Sequence, residues 1–231
     1  MTSQPQHRGF RIGAQILPLA VVAMFSLLLL STKTHRIAAT LIQENHAVET
    51  ATFAFALIAS VLGFWLVGRL FKRGGTRLTI VFYTLFALGM FFIAGEEIAW
   101  GQNWLHFTTP DAWKRVNYQQ ETTLHNLNAL QSMLELFALT YGVSGIIGVA
   151  LGRVRLFSEL APPSLLLGCF IVIAVFAGID FMHDYWIPNR RFDNLVNDLD
   201  EVIELLVAAS GAAYMGWRLC WAKTVTPPTK V

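Results

Sequence analysis

Charge is what this chain has least of. Lysine, arginine, aspartate and glutamate make up 14% of its 231 residues, where a soluble domain carries roughly 25%. Cysteine is scarcer still. Cys169 and Cys220 each stand inside an apolar run, which excludes a disulfide scaffold and a cysteine-rich metal site. The sequence contains no Gly-x-x-x-x-Gly-Lys-Ser/Thr loop, no Gly-x-Ser-x-Gly elbow and no His-Glu-x-x-His helix. Phosphate-loop ATPases, elbow-type serine hydrolases and zincins are thereby excluded. A net charge of +2 and only 6 histidines leave no basic surface for nucleic acid and no convincing bis-histidine haem pair.

Apolar residues fill the space that charge leaves. The hydrophobic fraction is 55% and the mean hydropathy +0.51, too high for a disordered chain or an ordinary cytosolic globule. A hydrocarbon layer about 30 Å thick takes roughly 20 apolar residues as helix. Six stretches meet that length, at about 12–31, 48–71, 78–94, 130–151, 164–181 and 202–221. Backbone groups in lipid must find partners within their own segment, so each stretch is expected to be helical. The expected fold is an all-α, polytopic membrane bundle of about six helices forming one integral domain over 1–231, with the lipid bilayer as its surroundings. Arg8 and Arg11 precede the first run, which ends in Ser31-Thr32-Lys33 without a small-x-small cleavage pattern. It reads as a retained signal-anchor. The residues after Lys223 read as a disordered tail.

Orientation follows from the short loops. With six spans, one side holds eleven of the 17 lysines and arginines, among them Arg8, Arg11, Lys72, Arg73, Arg77, Arg153 and Arg155. That side is expected to be cytoplasmic, together with both termini. Of the 15 acids only Glu159 falls there, and the others crowd the opposite, outer face. Carboxylates contribute little to topology, so this crowd calls for a different explanation.

Helical spacing organises the outer acids. Glu121, His125, Asn128, Ser132 and Glu135 step by four, three, four and three residues, a stripe on one helix face. Asp180, His183 and Asp184 share a face of the fifth span, and Asn197, Glu201 and Glu204 a face of the sixth. Asp193, Asp198, Asp200 and Glu201 are expected near a helix N-terminus, where the helix dipole favours negative charge. Glu96, Glu97, Asp180 and Asp184 lie at C-terminal ends, where it opposes it. These acids require a cation, a proton or a strong donor nearby. Three kinds of partner satisfy that requirement: a salt-bridge network with Lys114, Arg115, Arg190 and Arg191, a divalent metal ion, or protons in a relay. In the metal reading, Glu121, His125, Asp180 and His183 are the ligands and Glu96 or Glu97 is the general base of a hydrolase or transferase acting on a lipid-like substrate. In the others, the same acids serve cation binding, proton-coupled transport or a structural subunit.

Aromatic residues mark the outer boundary. Trp100, Trp104, Trp113 and Trp186 stand near Phe107, Tyr118 and Tyr185, as in an interfacial belt. Thr109-Pro110-Asp111 reads as an N-cap with proline at the first helical position, which predicts a short interfacial helix over 112–119.

Glu96-Glu97-Ile98-Ala99-Trp100-Gly101-Gln102, followed by Asn117-x-Gln119-x-Glu121-x-x-Leu124-His125-Asn126, resembles a pattern in a group of uncharacterised bacterial multi-pass membrane proteins. That group usually has serine where this chain has Ala99. The resemblance covers about 30 residues, 96–126. It implies a bacterial inner-membrane protein and singles out Glu96, Glu97, Trp100, Gln102, Gln119, Glu121, His125 and Asn126. It implies no activity.

Overall fold

Thr76 starts one of the long helices in the simplest way: its hydroxyl accepts the Thr79 N–H at 3.2 Å, satisfying one of the donors that every helix start leaves open. The helix before it carries Lys72 and Arg73 in its last turn and stops at Gly74, whose φ of +70° suits glycine. In the computed structural model such helices make up nearly all of the chain. It describes residues 5–43, 46–115, 117, 122–124, 131–186 and 190–224. Helix accounts for 83% of the structure, and none of the described residues is in a strand.

In chain order the helices are α1 (Pro5–Leu30), α2 (His35–Ile42), α3 (Ala47–Arg73), α4 (Arg77–Glu97), α5 (Gln102–Leu105), α6 (Asp111–Lys114), α7 (Gln131–Leu151), α8 (Leu167–Trp186) and α9 (Arg190–Thr224). Among the described residues, five segments are long and apolar enough to cross a membrane: Gly9–Leu30, the stretch ending in α3, Arg77–Glu97, Ser164–His183 and Asn194–Cys220. A shorter apolar segment, Glu135–Leu151, lies within α7. Large apolar side chains such as Leu17, Leu27, Leu85 and Val175 point outward. On a protein in water that much exposed apolar surface would be an aggregation liability.

Close helix contact holds the bundle together, because lipid tails supply no hydrophobic drive between helices. The helix α3 packs on both α4 and α9, while α7 packs on α8. Small residues let the axes approach. A Cβ on Gly63 would lie 2.8 Å from Ala87 Cβ, and one on Gly142 would lie 2.7 Å from the Ala174 nitrogen. Between the helices sits a core of Ala59, Met90, Cys169, Ile173, Ile203, Leu206, Val207 and Ala212.

At the basic end, one loop is tied down by side chains from three directions. Four successive carbonyls, from Ser158 to Ala161, each accept a hydrogen bond. Tyr83 Oη donates to Glu159 O at 2.6 Å, and Tyr214 Oη donates to Leu160 O. Arg218 Nη2 spans Ser158 O at 2.8 Å and Ala161 O at 2.6 Å. This loop is not helical, so its carbonyls lack helical partners and the side chains replace them.

Three expectations are corrected. The sixth span does not begin near 202: α9 starts at Arg190, so Asp198, Asp200 and Glu201 sit two to three turns inside it. A dipole that acts within the first turn no longer accounts for them. The interfacial helix over 112–119 shrinks to the single turn Asp111–Lys114, with Pro110 before its first residue. Thr109 does not cap it, because the Thr109 hydroxyl is engaged with Gln102. Finally, Arg218, one of the eleven basic residues counted for the cytoplasmic side, is not an exposed loop charge but is 2% exposed.

Candidate functional site

Two polar constellations occupy the acidic end. The first is built on the Gly95–Gln102 segment. At the end of α4 the backbone makes a left-handed turn, with φ of +45° at Ala99, +54° at Trp100 and +82° at Gly101. Glycine takes this conformation freely, but each of the other two residues costs about 1–2 kcal/mol. The turn folds Trp100 back onto Gly95, whose missing Cβ leaves room for the ring: a Cβ there would lie 2.8–2.9 Å from three ring carbons. Trp100 Nε1 then donates to Glu96 Oε1 at 2.6 Å.

The other oxygen of Glu96 reaches the next loop, where Leu124 N–H donates to Oε2 at 2.5 Å. Gln102 does similar work one turn away. Its Nε2 donates to Thr109 Oγ1 at 2.9 Å, and its Oε1 accepts the Thr122 N–H at 2.9 Å. Asn117 Nδ2 closes the arrangement by donating to Thr123 O at 2.8 Å. Glu96, Trp100 and Gln102 therefore pin the loop that leads to α7. Both oxygens of Glu96 accept N–H groups, which makes it a positioning group for this loop.

The same bonds correct the expected stripe. Thr122–Leu124 are not helical, because Thr122 and Leu124 give their N–H groups to Gln102 and Glu96 instead of to carbonyls one turn back. These three residues fall within the stretch where the stripe was expected to be helical. Gln119, Glu121, His125, Asn126 and Asn128 lie outside the described residues.

The second constellation is a set of carboxyls in the bundle itself. Glu97, 8% exposed, hydrogen bonds to the Glu204 side chain and faces Glu201 and Glu49. Asp200 lies among Asp180, Glu204, Glu135 and Glu201. Seven carboxyls from α3, α4, α7, α8 and α9 thus lie within electrostatic reach of Glu97 or Asp200. Asp180 is 4% exposed, and His183 one turn further along α8 is 8% exposed. Two carboxyl groups hydrogen bond only by sharing a proton, and a group this crowded stays together only with protons or cations among its members.

Of the residues singled out from sequence, Glu97, Glu135, Asp180, Glu201 and Glu204 come together here, while Glu96, Trp100 and Gln102 belong to the loop clamp. Asp184 lies on the same helix as Asp180 and His183. The reading of the sequence missed Glu49 and Asp200. Asp200 stands four residues before Glu204, a spacing that signals a shared face, but it was absorbed into a supposed helix start. Among the described residues, no group of three or more His, Cys, Asp or Glu has the arrangement to hold a metal ion. Of the four expected metal ligands, Asp180 and His183 fall within the described residues.

No protein-family model matches this chain. Neither a curated protein nor a solved structure matches it either.

Proposed function

We propose that this chain is a bacterial inner-membrane protein of six spans, with α7 as the sixth, both termini in the cytoplasm and the acidic end outside. It belongs with the uncharacterised multi-pass proteins that its Glu-Glu-x-x-Trp-Gly-Gln segment resembles. Its function is to take up a cation in the carboxyl core. One observation carries this reading: seven carboxyls from five helices lie within electrostatic reach of Glu97 or Asp200.

Interhelical hydrogen bonds alone are a poor reason for such a group. They are worth about 0.6–2 kcal/mol each in membranes, and neutral side chains supply them without like-charge repulsion. Ionisable groups at membrane depth mark ion or proton pathways far more often than simple glue. The Glu97–Glu204 pair is the centre, since an arriving cation can replace the proton that the two share.

The test is thermal unfolding of the purified full-length protein with sodium, potassium, calcium, manganese or zinc added in turn. Bound metal is measured in parallel by inductively coupled plasma mass spectrometry. At least one ion is expected to raise the unfolding temperature of wild type and not that of a Glu97→Gln/Glu204→Gln variant. A folded wild type that responds to none of the ions, and retains none, would overturn the reading.

A further inference from the structure

A cavity of about 460 Å³ opens between α2 and α9 at the acidic end. Ala39 and Ile42 form its apolar wall, and Gln43, His46, Asn197, Asp198 and Glu201 supply its polar groups. It shares Glu201 with the carboxyl core and is otherwise separate from it. We propose that this cavity binds an organic ammonium group.

The chemistry of the lining points to such a ligand. Among the described residues, every polar side chain that lines the cavity can present an acceptor: two carboxylates, two amide oxygens and an imidazole nitrogen. Asp198 and Glu201, three residues apart on α9, project from one helix face. Of the groups able to carry positive charge, His46 is in the lining and His35 lies near Asp198. An ammonium group offers donors and a positive charge to this set, and an anion would meet two carboxylates.

Size separates an organic cation from a bare ion. A volume of about 460 Å³ lies in the range of small-molecule pockets, roughly 300–1,000 Å³. The apolar wall of Ala39 and Ile42 matches the carbon part of an amine and gives nothing to a hydrated metal ion. Asp198 and Glu201 lie in the half of α9 that starts at Arg190, the half placed toward the outside in the proposed orientation, so the ammonium can belong to a soluble amine or to an aminophospholipid.

The experiment uses the full-length chain in phosphatidylglycerol nanodiscs, with the reporter substitution A39C in a C220S background. The thiol is labelled with a cationic, trimethylammonium-bearing methanethiosulfonate or with an anionic, sulfonate-bearing one. A cleft lined by one sign of charge should favour the cationic reagent by about tenfold, after division by the intrinsic reactivity ratio. That preference should vanish in D198N/E201Q, and ethanolamine or tetramethylammonium should protect the thiol. Protection in phosphatidylethanolamine nanodiscs without added amine identifies the headgroup as the source, and protection by added amine alone identifies a soluble ligand. Equal normalised rates, or no protection from either source, overturn the proposal. E97Q should leave both preference and protection intact, so loss of the ion response in that variant bears on the carboxyl core alone.

Discussion

Gly95→Ala tests whether the Trp100–Glu96 clamp organises the outer loops. The added methyl would sit 2.8–2.9 Å from three carbons of the Trp100 ring, closer than real Cβ atoms approach a neighbour. The ring also meets Phe91 and Phe92 edge-on, at centroid distances of 6.3 and 5.7 Å, so its retreat is restricted. Overpacking of this kind costs about 1–3 kcal/mol. Moving the indole also breaks the 2.6 Å bond to Glu96, worth about 1.5–3 kcal/mol when the acceptor is charged. Together these come to roughly 2.5–6 kcal/mol, or a fall of about 5–24 °C in unfolding temperature at the usual 2–4 °C per kcal/mol for a chain this long. Glu96→Gln probes the other half of the clamp. A carboxylate offers acceptors to both Trp100 and Leu124, whereas an amide has one oxygen and turns an NH2 toward the second N–H. The expected loss is about 1–3 kcal/mol. Both variants are read by far-UV circular dichroism melts in detergent, with tryptophan fluorescence reporting the ring. If Gly95→Ala melts with wild type and its emission is unchanged, the clamp does not carry the role assigned to it.

At the opposite end, Arg218→Lys should lower stability by about 2 kcal/mol, because an ammonium point charge does not reproduce the planar fork that spans two carbonyls; unchanged melting would show that the loop holds without it. Gly142→Leu should destabilise the α7–α8 pair by at least about 1–3 kcal/mol through overpacking against Ala174. Gly89→Leu serves as its control, since nothing lies within 4 Å of a Cβ there, and equal melting of these two variants would refute the close-contact reading.

The long helices were legible because twenty-residue apolar runs have few other solutions in lipid. Their ends were not. Asn194-Leu195-Val196-Asn197-Asp198-Leu199-Asp200-Glu201 has too many acids to register as a membrane segment, yet α9 runs straight through it with Val196 and Leu199 buried. Starting that helix too late led to a dipole explanation for Asp200, which in fact faces Asp180 and Glu135. The helix expected over Thr122–Leu124 is missing for a different reason. Periodicity describes a helix only if the backbone N–H groups are available for it, and two of these residues give theirs to Glu96 and Gln102. Those partners lie 20 and 28 positions away, beyond anything a local pattern reports. The grouping of carboxyls from five helices was equally hidden, because spacing fixes the face of one helix and says nothing about which helices are neighbours.

The two ends of the bundle follow opposite rules, and the difference bears on where function lies. At the basic end, Tyr83, Tyr214 and Arg218 together reach four successive carbonyls, Arg218 taking two of them, and the guanidinium lies near the faces of Trp217 and Tyr214, at 4.9 and 6.0 Å. Donors there meet acceptors, and each bond is stronger for the dry surroundings. At the acidic end, like groups are gathered where burial makes repulsion strongest, and neutral side chains would have packed with less cost. Stability selects against that arrangement, and the cation proposed for the carboxyl core would explain its presence in a chain with so little charge elsewhere. A Glu204→Gln chain that melts at or above the wild-type temperature, while losing the ion response, is the outcome this argument requires.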